Sequence, residues 1–146
     1  MEVVVGIDGS PQSDAVLQTA AAEAKLRQER LHVVHVVYIP VTWVDGINFM
    51  PGNLIESTYE VAETLRKSLW ERVKALLGGL NVDWVQVDRK GYPPDEIVEY
   101  AKSIDAALIV VGSRGFGDLK SMLLGSTSHR VSHTSTCDVL IVKTRE

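Results

Sequence analysis

The residues best suited to chemistry in this 146-residue chain lie between Gly112 and Ser128. They read Gly112-Ser113-Arg114-Gly115-Phe116-Gly117-Asp118-Leu119-Lys120-Ser121-Met122-Leu123-Leu124-Gly125-Ser126-Thr127-Ser128. Glycines let backbone N–H groups approach an anion closely, and they supply positive φ for a tight turn. Gly125-Ser126-Thr127-Ser128 opens a helix, where unpaired N–H groups, hydroxyls and the positive end of the helix dipole favour phosphate. Arg114 and Lys120 add local positive charge. These features point to an anion site, although a long loop whose glycines only turn the chain would read the same way. A Walker loop is excluded because Gly-x-x-x-x-Gly-Lys-Ser/Thr does not occur, and Gly-x-Gly-x-x-Gly does not follow the first apolar run.

Four other places carry reactive groups. Asp8, at the end of an apolar run, can contact ribose hydroxyls or a metal on phosphates, or can bond nearby N–H groups as a turn aspartate; its position favours the ligand. His35 sits inside an apolar strand and is expected to be a satisfied core histidine. His129 and His133 are four apart on one helix face, but without a third ligand nearby in sequence they read as a solvated face. Cys137 has no second cysteine or base partner and reads as a small core residue. Trp43, Phe49 and Met50 fit a lid, a partner contact or plain packing equally well.

The elements that must position these groups alternate from end to end. Val3 to Ile7 is short, β-branched and apolar on both faces, as a buried parallel strand should be. Ser10 and Pro11 suit the cap and first position of a helix whose stripe is Val16, Leu17, Ala20, Ala21 and Ala24. Leu31 to Val37 forms the second strand, followed by an irregular segment over 38–52. The next helix repeats Ile55, Tyr59, Ala62, Leu65, Leu69, Val73 and Leu76 at three- and four-residue steps, with Asn53 and Glu56 as a capping box and Gly78-Gly79 as its stop. A partly exposed edge strand is expected over Asn81 to Asp88, and a helix opens at Pro93-Pro94-Asp95-Glu96. Ala106 to Val111 is a central strand, 126–134 a polar helix, and Val139 to Val142 the last strand.

That order is β-α-β-α-β-α-β-α-β, with every crossover long enough for parallel strands. It predicts an α/β fold: one domain over 1–146, built on a single open, doubly wound, five-stranded parallel sheet with helices on both faces. Ligands of such sheets sit beyond the carboxyl ends of the strands where strand order reverses. The first and fourth strands, the most apolar, belong side by side in the centre. Asp8-Gly9-Ser10 and Gly112-Ser113-Arg114-Gly115 then meet at the crevice.

Composition narrows the function classes. Fifteen Lys+Arg against nineteen Asp+Glu leave a net charge of −4, which carries no signature of nucleic acid or an anionic membrane as partner. One cysteine, no run of the roughly 20 apolar residues a membrane span needs, and no signal-peptide pattern lead us to expect a cytoplasmic protein.

The spacing Gly112-x2-Gly115-x9-Gly125-Ser126 resembles the nucleotide-binding pattern of the universal stress protein family. Val3 to Ser10, Leu31 to Val37, Ala107 to Gly115 and Val139 to Val142 resemble that family's first, second, fourth and fifth strands, in the right order. The resemblance implies sheet order 3-2-1-4-5 and a homodimer, paired through Val139–Val142, that binds ATP or a related adenine nucleotide (ADP or AMP) with or without Mg2+. It also implies roles by position. Ile7 and Asp8 would lie along the nucleoside, with the Val36 backbone at the adenine edge. Val111, Gly112 and Gly115 would line the ribose and phosphate path, with Arg114 supplying charge. Gly125, Ser126, Thr127 and Ser128 would hold the phosphates. The last helix is more polar than the family's usual one, and Thr136 and Asp138 flank Cys137 where a proline is common.

The function so implied is a stress-response sensor or switch whose nucleotide occupancy changes what it presents to a regulatory protein partner. A slow ATPase or self-phosphorylating enzyme is the alternative, but no arranged general base or activated nucleophile is legible. A nucleotide-free scaffold would not need the glycine pattern. A receiver domain would need an acidic pair after the first strand, where Asp8 stands alone.

Overall fold

The protein is described by a computed structural model covering residues 1–38, 52–115 and 123–143, with the side chains of 52–59 outside the description. Trp43, Phe49, Met50 and Lys120, and the Asn53/Glu56 side chains, therefore lie outside the described residues. The elements are β1 (Val3–Ile7), α1 (Ser13–Arg27), β2 (Leu31–Val37), α2 (Gly52–Gly78), β3 (Trp84–Lys90), α3 (Pro93–Ser103), β4 (Leu108–Gly112), α4 (Ser126–Thr134) and β5 (Asp138–Val142). All neighbouring strands are parallel, in the order β3-β2-β1-β4-β5. The two most apolar strands are adjacent at the centre, with Val5 opposite both Val33 and Val110.

Side-chain alternation along the strands divides the core into two layers. Val3, Val5, Ile7 and Val33 pack against α1 and α2 through Leu17, Ala20, Trp70, Val73 and Leu77. Val4, Val34, Ile109 and Val111 pack against α3 and α4 through Ile97, Ala101 and Val131. Each such valine or isoleucine, fully buried, contributes roughly 1.5–3 kcal/mol. Gly6 is where β1 must stay bare: a Cβ there would lie 2.5 Å from Ile97 Cδ1.

Several boundaries differ from the sequence reading, each for a local reason. α1 starts at Ser13 with Gln12 as its cap, not at Ser10 and Pro11. Asp8 explains the shift: its Oδ1 accepts from the Ser10 N–H at 2.8 Å and the Ser13 hydroxyl at 3.1 Å, so the chain makes one turn before the helix begins. β3 begins at Trp84, since Asn81 is left-handed (φ 51°) and pairing with β2 starts at Leu31 opposite Trp84. β4 begins at Leu108, because Asp105 is left-handed (φ 52°) and the Ala106 N–H bonds back to Ala101. α2 starts at Gly52, which places Asn53 inside the helix; its end at Gly78 agrees with the glycine pair. Among the described residues no helix is long and apolar enough to cross a membrane.

Candidate functional site

The carboxyl ends of β1, β2 and β4 open into a cavity of about 400 Å³ on the face covered by α3 and α4. Small-molecule sites typically measure roughly 300–1,000 Å³. Ile7, Asp8, Val36, Val111, Gly112, Arg114, Gly115, Gly125, Thr127 and Ser128 all line it. Ser126 does not; it is exposed at the start of α4, outside the cavity wall.

Parallel strands joined by helices bring helix N-termini to this end of the sheet, and three of them reach the cavity. α1 contributes Gln12 and Ser13, α3 contributes Pro93, and α4 contributes Gly125, Thr127 and Ser128. None of these helices has a side-chain hydrogen bond at its N-cap. Each helix start carries the equivalent of roughly +0.5 charge. In α1 and α3 that charge is already answered by acids in the first turn, Asp14 in one and Asp95 and Glu96 in the other. In α4 it is not: the first turn is Ser126-Thr127-Ser128, behind Gly125.

The glycines work by absence of a side chain more than by unusual backbone. Gly125 has φ −73° and ψ 171°, which any residue adopts, so the positive φ expected of this segment is not what its glycine supplies. A Cβ on Gly112 would come within 3.0 Å of Val16 Cγ2 and 3.3 Å of the Arg114 carbonyl oxygen. Gly112 therefore lets α1 and the β4 turn approach each other across the cavity floor. Gly9, directly after Asp8, is the residue that does use a left-handed conformation (φ 80°).

Ser113 is the residue the sequence reading missed. Its N–H bonds the Val142 carbonyl at 2.8 Å, and its own carbonyl accepts from the Gly125 N–H and, at 3.1 Å, from the Ser128 hydroxyl. This one buried residue ties the ends of β4 and β5 to the start of α4. The signal is weak in sequence because two of the three contacts are backbone groups. The same geometry shows that the Ser128 hydroxyl proton is engaged within the protein, by Ser113 O or by Gly125 O at 3.1 Å.

A second cavity, about 430 Å³, lies on the opposite face of the sheet between α1 and α2, and His35 lines it. His35 is not the satisfied core histidine expected. Its Nδ1 is buried and has no hydrogen-bond partner among the described residues. The ring stands edge-on to Trp70 at 6.4 Å. Burial pushes its pKa below the usual value, against the opposing pull of the Asp88 and Asp8 carboxylates. The satisfied histidine is His32, held by Tyr100 Oη at 2.7 Å and Glu2 Oε2 at 3.0 Å.

His129 and His133 are exposed with ring centroids 4.6 Å apart. Among the described residues no group of three or more His, Cys, Asp or Glu could hold a metal. Cys137 is partly buried, with its sulfur 3.4 Å from Ser135 Oγ.

The model of the universal stress protein family matches residues 1–143. The chain belongs to the universal stress protein family. It is 36% identical to the universal stress protein YxiE of Bacillus subtilis over 145 residues, covering 97% of this chain and 98% of that protein. A universal stress protein solved in complex with cAMP is similar at 29% identity with a TM-score of 0.67, covering 99% of this chain and 98% of that one. The universal stress protein UspA from Lactobacillus plantarum, at 20% identity, shares the fold with a TM-score of 0.77 over 97% of each chain.

Proposed function

We propose that this universal stress protein binds an adenine nucleotide in the cavity on the α3/α4 face, with its phosphates at the start of α4. The observation that carries the reading is the difference among the three helix starts. Among the three, only α4 meets the cavity with no acid in its first turn and a glycine cap, so there no first-turn carboxylate competes with an anion. The related protein in complex with cAMP supports an adenine nucleotide over other anions.

Within this reading Ile7 and Asp8 lie along the nucleoside and the Val36 backbone meets the adenine edge. Val111, Gly112 and Gly115 flank the ribose and first phosphate, and Arg114 adds charge. Thr127 and Ser128 offer backbone N–H groups to the phosphates and Gly125, whose own N–H stays bonded to Ser113 O, leaves the approach bare, while the Ser128 hydroxyl keeps its structural bond. Ser126 contributes through its place in the first turn, not its side chain. A Mg2+ accompanying ATP would rest on the phosphates with Asp8 beside it. Such occupancy would serve as a sensor or switch read by a protein partner in the cytoplasm.

Calorimetric titration of the nucleotide-stripped protein with ATP, ADP, AMP and cAMP, with and without Mg2+, tests the assignment. Micromolar binding of at least one is expected; no binding at millimolar concentration overturns it.

The same reading includes a homodimer through β5. This edge strand is apolar at Val139, Leu140, Ile141 and Val142, and all four side chains are only partly buried. An apolar edge of this kind invites pairing, and antiparallel pairing with the same strand of a second copy would cover it symmetrically. Light scattering at micromolar protein should return twice the 16.1 kDa chain mass; a monomer there removes the dimer from the proposal.

A further inference from the structure

We propose a second small-molecule site in the 430 Å³ cavity between α1 and α2, for a neutral, largely apolar molecule that carries a hydroxyl. The walls decide the body of the ligand. Leu17 from α1 and Leu65, Leu69 and Val73 from α2 present hydrocarbon to the cavity. Leu65 is 65% exposed, at the open rim of the cavity. Pockets of this volume walled largely by hydrocarbon take predominantly apolar molecules, with a few polar groups fixing their orientation.

The charged groups at the rim decide what the ligand is not. Arg66 is engaged by Glu63 at 2.9 Å and Asp88 at 3.0 Å, and Arg72 by Asp14 at 2.7 Å. Their charges are compensated within the protein, so an acidic ligand gains little there. This separates the site from the cavity at the start of α4, where an anion is favoured.

His35 decides the polar group. Its imidazole lines the cavity, and its buried Nδ1 has no hydrogen-bond partner among the described residues. A neutral imidazole has one N–H and one lone pair, and a hydroxyl can both donate and accept. It therefore satisfies whichever nitrogen faces it. An alkylphenol has the required shape: an apolar body with one hydroxyl.

The test uses 4-propylphenol and propylbenzene as probes, read by methyl and imidazole NMR shifts of the full chain. 4-Propylphenol should bind with a Kd below a millimolar, shifting the Leu65, Leu69 and Val73 methyls and the His35 ring while leaving Ile97 and Val131 unmoved. His35→Phe should weaken 4-propylphenol about tenfold and leave propylbenzene unchanged, one hydrogen bond being worth about that factor. Should His35→Phe fail to fold, Ala62→Phe, which fills the cavity from α2, should abolish both. No shift at millimolar probe, shifts at Ile97 and Val131 instead, or equal binding of 4-propylphenol to wild type and His35→Phe overturns the proposal. None of these readings depends on nucleotide binding, so failure of one assignment leaves the other standing.

Discussion

The two cavities at the carboxyl end of the sheet share Ile7, Asp8, Ser13, Val36 and Tyr38, yet they present opposite chemistry. On the α3/α4 face the lining includes glycines, hydroxyl residues and helix starts. On the α1/α2 face leucine and valine surround one imidazole, with Asp8, Asp14, Ser13, Ser68 and already paired arginines among the lining. Topology alone does not make the difference, since every helix that follows a parallel strand begins at this end. What separates the two cavities is whether the helix starts that line them are already neutralised and whether side chains fill the approach. Asp14 answers the dipole of α1 and is itself bound by Arg72. Asp95 and Glu96 answer that of α3 and are bound by Arg130 and Arg89 at 2.6 and 2.9 Å. The first turn of α4 carries no acid.

The largest effect should come from closing one cavity without touching the other. Gly112→Val places a branched side chain where even a Cβ would stand 3.0 Å from Val16. We expect nucleotide affinity to fall about 100-fold, roughly 2.7 kcal/mol, with a stability loss of about 1–3 kcal/mol from overpacking. Alkylphenol binding on the opposite face should change less than twofold. Calorimetry on the folded variant reads both. Retention of full nucleotide affinity would remove Gly112 from the ligand path and weaken the contrast between the cavities.

A smaller effect separates structural from ligand-holding roles at the start of α4. Ser128→Ala removes the 3.1 Å bonds from its hydroxyl to Ser113 O and Gly125 O. The Ser113 carbonyl keeps its bond from the Gly125 N–H. A stability loss of about 1 kcal/mol is therefore expected in urea unfolding. Nucleotide affinity should fall only about two- to threefold, because the variant keeps the backbone N–H. A drop of tenfold or more would mean that the hydroxyl leaves Ser113 to meet the phosphate.

How far the sequence reaches is visible in these same residues. Gly112, Gly115, Gly125 and Asp8 stand out because their types and spacing are unusual, and the five strands stand out because buried parallel strands are continuously apolar. Sheet order followed from family resemblance together with the apolar character of Val3–Ile7 and 106–111. Ser113 stayed hidden because its work is done by its N–H and carbonyl, which every residue but proline carries. The start of α1 was misread because Ser10 and Pro11 satisfy local capping rules, while Asp8, two residues upstream, captures the Ser10 N–H first. The second cavity was invisible for a different reason. Leu17, His35, Leu65 and Leu69 are scattered over three elements, and leucines at helical spacing read as ordinary core. Nothing in the sequence indicates that His35 lacks the partners that His32, three residues away in the same strand, finds in Tyr100 and Glu2.

That contrast between His35 and His32 yields the smallest effect, visible only as a slope in stability against pH. Burial lowers the pKa of His35 in the folded chain relative to the ordinary value of 6.5. Between that folded value and about 6.5 the unfolded chain therefore binds the proton more readily. Its contribution to stability is complete above about 6.5 and is lost as the pH falls through the folded pKa. The ring is not wholly buried, and Asp88 and Asp8 pull in the opposite sense, so the slope is shallow. His35→Phe should flatten it. Urea midpoints at pH 7.5 and 5.5 read the difference. An unchanged slope in His35→Phe would mean that the folded chain solvates or pairs this imidazole. It would then lose its place as the unpartnered polar group of the α1/α2 cavity.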